Sequence, residues 1–191
     1  MIEVVTYLDR LREIAMDQHG FVTYQQAIDV GVPQPAISML VKRGRIERAA
    51  HGVYRVPQVP ATPYDQLMKA VLWTGVPEAC LSHDTALDAY GVSDINPSVI
   101  HLTVGKSRRI ARKGGQGYIL HRQDLRSDQI TWWEEIPIVT LPVAIEQCIN
   151  GRVQTYLIRQ ALERGEKTGI ITQNEQKRLF EMMEARSGYH K

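Results

Sequence analysis

The sequence predicts an α+β chain. A winged helix-turn-helix domain spans residues 1–57, a Pro-rich linker spans 58–63, and a mixed domain with a small β-sheet and packed helices spans 64–191. Three observations carry this. Residues 20–57 read as two short helices followed by a basic hairpin. Pro57, Pro60 and Pro63 then fall close together and mark a semi-stiff connection. Beyond them, β-branched strand segments alternate with apolar residues at helical spacing.

The elements follow in order. Val4, Leu8, Leu11 and Ala15, with Tyr7 and Ile14 beside them, form one face of a first helix, and Gly20 follows its end. Thr23 is a good N-cap for the second helix, and Gln26 three residues later completes a capping box. Ala27, Ile28 and Val30 give that helix its apolar side, and Gly31 suits the left-handed residue that closes it. Pro33 and Pro35 lead into a third helix, where Pro35 is tolerated in a first turn that needs no backbone donor. Ala36, Ile37, Leu40 and Val41 should face inward, leaving Gln34, Ser38, Met39, Lys42 and Arg43 outside, and Gly44 stops the helix. A strand over 45–49, a turn at His51-Gly52 and a returning strand at 53–56 complete the hairpin.

This segment is the candidate nucleic-acid surface. Between residues 34 and 56 the cations Lys42, Arg43, Arg45, Arg48 and Arg55 face Glu47 alone, a local charge of +4. Cations at a helix end and on a wing suit phosphates, while Gln34 and Ser38 are short enough to read base edges. Thr23 and His51 join the candidate DNA-contacting set by position. The competing reading is a winged helix that packs on protein, since a fold alone does not give a function.

The whole chain sets bounds. Its 191 residues carry a net charge of only +2, so any argument for nucleic acid rests on where the charges sit. Residues 61–104 sum to −4, residues 105–126 to +6, and residues 127–151 to −4. Cys80 and Cys148 are isolated from each other in the sequence, so no zinc pattern is read and no cofactor is expected. The N-terminal stretch carries charges through its apolar positions, unlike a signal peptide, and no apolar run approaches membrane-spanning length. A cytoplasmic protein without a membrane partner is expected.

The second domain opens with a helix in which Thr62 caps, Pro63 leads, and Tyr64, Leu67, Met68, Val71 and Leu72 face inward. A short strand at 79–81 precedes a helix through Tyr90, capped by Ser82 and closed by Gly91. Strands follow at 99–104 and 118–122, with one or two more around Pro137. Pro142 opens a helix through Ile149, residues 153–163 continue helical, and Thr172 with Glu175 makes a capping box before a last helix over 173–185.

Three stretches together carry a resemblance. The hairpin ends in His51-Gly-Val-Tyr-Arg-Val56. Then come Leu81-Ser-His-Asp-Thr-Ala-Leu-Asp-Ala-Tyr-Gly91 and the strand Ile100-His-Leu-Thr-Val104. Last, Ile138-Val-Thr140 leads into an apolar helix. In this order the chain resembles the AbiEi family of type IV toxin–antitoxin antitoxins, which are also transcriptional regulators. The family's Arg-Thr pair after that Thr is replaced here by Leu141-Pro142-Val143-Ala144. The resemblance implies an N-terminal domain that binds inverted repeats in its own promoter. It also implies a C-terminal domain that counters a nucleotidyltransferase-like toxin encoded nearby, without a stable complex.

A second basic element lies between two expected strands, at residues 105–117. Lys106, Arg108, Arg109, Arg112 and Lys113 crowd a glycine-rich loop, which reads either as a second phosphate-contacting surface or as a solvated loop. The spacing of a Walker phosphate loop is absent. Ser82-His83-Asp84 names the residue types of a triad, but neighbours at a helix start point apart, and a capping Ser with a first-turn anion explains them. Trp132 and Trp133 beside Glu134 and Glu135 lack the converging acidic strand of a metal nuclease and read as packing residues. His101 and His121 lie on expected strands and face each other across a sheet, in a structural role. The leading reading is a non-catalytic, sequence-specific repressor of its own operon that serves as an antitoxin. A nuclease targeted by the winged helix and a protein-binding adaptor are the alternatives.

Overall fold

In a computed structural model the described residues are 5–188, so Val4 of the expected first face lies outside them. The chain divides into two compact units. The first holds residues 1–79, 107–116 and 134–136, and the second holds 80–106, 117–133 and 137–191. The division therefore does not fall in the Pro-rich segment 58–63. The reason is the helix that follows it, which packs on the N-terminal sheet.

The first unit is built on four helices and a three-stranded sheet. α1 (Tyr7–Met16) begins at Thr6, whose hydroxyl accepts from the Asp9 backbone N–H in a capping box. β1 (Phe21–Thr23) runs into α2 (Tyr24–Asp29), and α3 (Gln34–Lys42) follows Pro33. β2 (Glu47–Ala50) and β3 (Val53–Arg55) form the hairpin, with a register shift between Arg48 and Ala50. The strand order is β1-β3-β2, all antiparallel, so β1 closes the hairpin from its other edge. Leu11, Ala15, Val22, Ala27, Val32, Ile37 and Ile46 are fully buried or nearly so and make one core with Tyr54 and Val56. α4 (Asp65–Thr74) packs against all three strands. Thr62, the expected cap, lies two residues before the actual N-cap Tyr64, where it donates to the Asp65 carboxylate at 2.9 Å and accepts from the Tyr64 backbone N–H at 3.2 Å.

The second unit is a five-stranded sheet with four helices. β4 (Cys80–Leu81), β5 (Ile100–Val104), β6 (Tyr118–Arg122), β7 (Ile130–Trp133) and β8 (Ile136–Val139) lie in the order β6-β5-β4-β8-β7. β5 and β6 are parallel, so they need a crossover of about a dozen residues, and the basic segment is that crossover. β7 and β8 are joined by Glu134 and Glu135, both at positive φ (46° and 58°), as a tight hairpin turn requires. α5 (His83–Ala89), α6 (Leu141–Asn150), α7 (Thr155–Lys167) and α8 (Gln173–Gly188) follow the helical spacing of their apolar residues. α6 is the hub: it packs on α5, α7 and α8, and Val143, Ala144, Ile145, Cys148 and Ile149 are buried. Arg186 of α8 donates to the Ile149 and Val153 carbonyls at 2.9 and 3.0 Å, satisfying acceptors at the end of α6. Among the described residues no buried side-chain polar atom lacks a partner.

Candidate nucleic-acid interface

The cap of α2 fixes where the helix-turn-helix begins. The Thr23 hydroxyl accepts from the Gln26 backbone N–H at 3.1 Å, while the Gln26 side chain accepts from the Thr23 backbone N–H at 2.9 Å. Gly31 has φ +77° and turns the chain into α3. In α3, Ile37 is buried and Ala36, Leu40 and Val41 are half-buried against the core. The opposite face carries Gln34, Ser38, Met39 and Lys42, all exposed, with Arg43 exposed at the helix end. Arg45 and Arg48 are also exposed. Lys42, Arg43, Arg45 and Arg48 form no ion pair with any described residue, so their charges are available to phosphates.

Thr23 and Arg55 of the expected set are engaged within the first unit. Thr23 is half-buried, and its hydroxyl is engaged within the capping box. Arg55 turns inward: it donates to the Val56 and Val59 carbonyls at 3.2 and 2.9 Å, lies 3.6 Å from the Asp65 carboxylate, and covers the Phe21 ring. It is a strut of the first unit and not a free cation. The cause is β1, which brings Phe21 opposite Arg55. His51 is exposed in the hairpin turn, where its carbonyl accepts from Arg112 at 3.3 Å.

The second basic element is likewise divided by its partners. Arg108 forms a two-pronged ion pair with Glu78. Arg112 donates to the Trp73 carbonyl at 2.9 Å and occupies the space where Gly75 has no side chain. The Lys113 carbonyl accepts from the Trp73 indole at 2.9 Å while its side chain stays exposed. Lys106 and Arg109 are exposed. The segment is thus anchored by Arg108, Arg112 and Trp73, not a loose cationic loop.

In the second unit Ser82 does not cap α5 with its side chain. It is fully buried, and its hydroxyl lies 3.0 Å from Nδ1 of His83. Asp84 instead accepts from the Cys148 thiol at 3.7 Å, so no Ser–His–Asp relay exists. Cys80 and Cys148 are buried, and burial pushes the Cys80 thiol up to about 12. Trp132 is 70% exposed, contrary to a packing role, whereas Trp133 is half-buried. His101 and His121 do meet, with Nε2 of His121 3.1 Å from Nδ1 of His101. Sequence reasoning missed that His83 joins them, its ring stacked on His121 with centroids 3.5 Å apart.

Comparison with known proteins bears on the first unit. Residues 9–57 match the family described as transcriptional regulator, AbiEi antitoxin. The likeness to the AbiEi regulators therefore rests on this N-terminal segment. No curated protein matches the chain. Among solved structures, the RV2827C protein from Mycobacterium tuberculosis is similar in fold, with a TM-score of 0.55 and 14% identity. That match covers 96% of this chain and 75% of the other. The AbiEi match ends at Pro57, just beyond β3, so it spans α1 to α3 and the hairpin. The match supports a regulatory antitoxin role. Among the described residues, no helix is long and apolar enough to cross a membrane.

Proposed function

We propose that this chain is a sequence-specific DNA-binding repressor of its own operon and the antitoxin of a type IV pair. The observation that carries the reading is the solvent face of α3 and β2. There Lys42, Arg43, Arg45 and Arg48 are exposed without acidic partners, beside the short polar groups Gln34 and Ser38. Cations fix the register on phosphates, and short amides and hydroxyls read base edges in the major groove. An inverted repeat would take two copies, one per half-site. The partner toxin is nucleotidyltransferase-like, encoded nearby, and countered without a stable complex. The proposed role is regulatory rather than catalytic, a reading supported by the match to a family of transcriptional regulators.

The test is a fluorescence-anisotropy titration against the DNA upstream of the chain's own gene and against a scrambled duplex. Tight binding to the native duplex alone is expected. Equal affinity for both duplexes, or none, would overturn the repressor reading and favour the protein-binding one. Co-expression with the neighbouring toxin gene tests the antitoxin part, with growth restored and no co-purification expected.

A further inference from the structure

Three imidazoles converge in the second unit from separate elements. His83 opens α5, His101 lies on β5, and His121 lies on β6. The parallel register pairs Thr103 with His121 and His101 with Ile119, which sets the two strand histidines diagonally on one face. One ring nitrogen of each of the three lies within 4.8 Å of the others. The closest pair, Nδ1 of His101 and Nε2 of His121, is 3.1 Å apart. Two imidazoles on one tetrahedral ion at a metal–nitrogen distance of about 2.0–2.1 Å place their nitrogens about 3.3 Å apart. That pair already has nearly this spacing, and the ring nitrogen of the third lies within 4.8 Å of both.

We propose that His83, His101 and His121 hold one divalent transition-metal ion of the zinc class. The donor set selects the class: three neutral imidazoles suit zinc, cobalt, nickel or copper, whereas calcium and magnesium take oxygen donors. Imidazoles bind such an ion in their neutral form, so metal uptake by this set would fall as the pH drops. The surroundings orient the ligands as a metal site requires. Nδ1 of His83 is engaged by the buried Ser82 hydroxyl at 3.0 Å, which leaves its Nε2 for an ion. Gln147, itself buried, accepts from the His83 backbone N–H at 3.2 Å. It helps hold His83 at φ +51°, a conformation that costs a non-glycine residue energy.

The site is also reachable. His83 lines a pocket of about 320 Å³ shared with Gln123, Glu146 and Gln147. Three protein ligands leave a fourth tetrahedral position, for water or a small anion from that side. Bound metal would tie the start of α5 to β5 and β6.

The experiment uses the full chain, treated with chelator and then titrated with cobalt(II) chloride or zinc chloride. Cobalt is expected to give visible bands of a nitrogen-coordinated, four-coordinate ion, and zinc to remain at one ion per chain after dialysis. His121→Gln and His83→Gln should abolish the bands, while His19→Gln, outside the cluster, should keep them. In the wild-type chain, zinc should shift the ring-nitrogen NMR signals of His83, His101 and His121 and of no other histidine, which guards against misfolded variants. A folded wild-type chain that gives no cobalt bands and no retained zinc overturns the site, as do bands that survive His121→Gln.

Discussion

Two arginines on neighbouring strands have opposite fates, and a substitution tells them apart. Arg48 is exposed without an acidic partner, whereas Arg55 spends its guanidinium on two carbonyls, Asp65 and the Phe21 ring. Arg48→Ala should leave the thermal midpoint within experimental error and lower the salt slope of DNA binding by about 1. Arg55→Ala should instead lower stability by about 2 kcal/mol, because charge-assisted hydrogen bonds to buried acceptors are lost, with the salt slope unchanged. Denaturant unfolding and a salt series on each variant check both, and a normal midpoint for Arg55→Ala would refute the strut. The histidine cluster gives a second contrast. Burial, with the neighbouring His121 and His101 charges adding to it, pushes His83 down to about 3. His101 and His121 are lowered chiefly by burial as well, against an opposing pull from the Asp84 charge. An unfolded histidine titrates near 6.5, so between that value and the folded one the unfolded chain binds more protons. The stability of the metal-free second unit is therefore complete above about pH 6.5 and falls as the pH drops. Unfolding followed from pH 7.5 down to 5 in chelator should show that loss, and His83→Gln should flatten it.

At the scale of elements, the caps carry their own energies. Thr23→Ala removes the side chain that starts α2 and should cost about 1 kcal/mol in chemical denaturation. Gly20 has φ +84°, and Arg55 covers the space a side chain would take. Gly20→Ala should therefore cost more than about 1 kcal/mol and expel Arg55 from its seat. These elements were legible because their signals are local. Thr23 and Gln26 sit three residues apart, Gly31 and Gly44 follow their helices directly, and Thr172 with Glu175 repeats the capping pattern. What was not legible depends on chain segments distant in sequence. β1 is three residues long and exists because Phe21–Thr23 pairs with Val53–Arg55. The inward turn of Arg55 follows from that pairing. The parallel pairing of β5 and β6, and the approach of His83 to His101 and His121, likewise have no periodic signature. The Ser-His pair was visible only as adjacent letters.

For the whole molecule, the proposed function raises the question of how a chain of net charge +2 would hold DNA. Screening bears on it: at physiological salt, exposed charges act over about 8 Å, so what matters is the local balance around Lys42, Arg43, Arg45 and Arg48 and not the net charge of the chain. The small net charge gives little long-range attraction to arbitrary duplex, so binding must come from local contacts. Lys42, Arg43, Arg45 and Arg48 are the exposed cations without acidic partners on that face. If each neutralises one phosphate, the logarithm of affinity should fall with the logarithm of salt with a slope of about −3.6 per bound copy, and about −7 for two copies on an inverted repeat. Replacing all four with Gln should bring the slope near zero and remove binding to native and scrambled duplexes alike. Gln34→Ala should leave the slope intact and narrow the difference between the two duplexes. A slope that stays steep in the fourfold variant would place the phosphate contacts elsewhere, with Lys106, Arg109 and Lys113 as the next cations to replace.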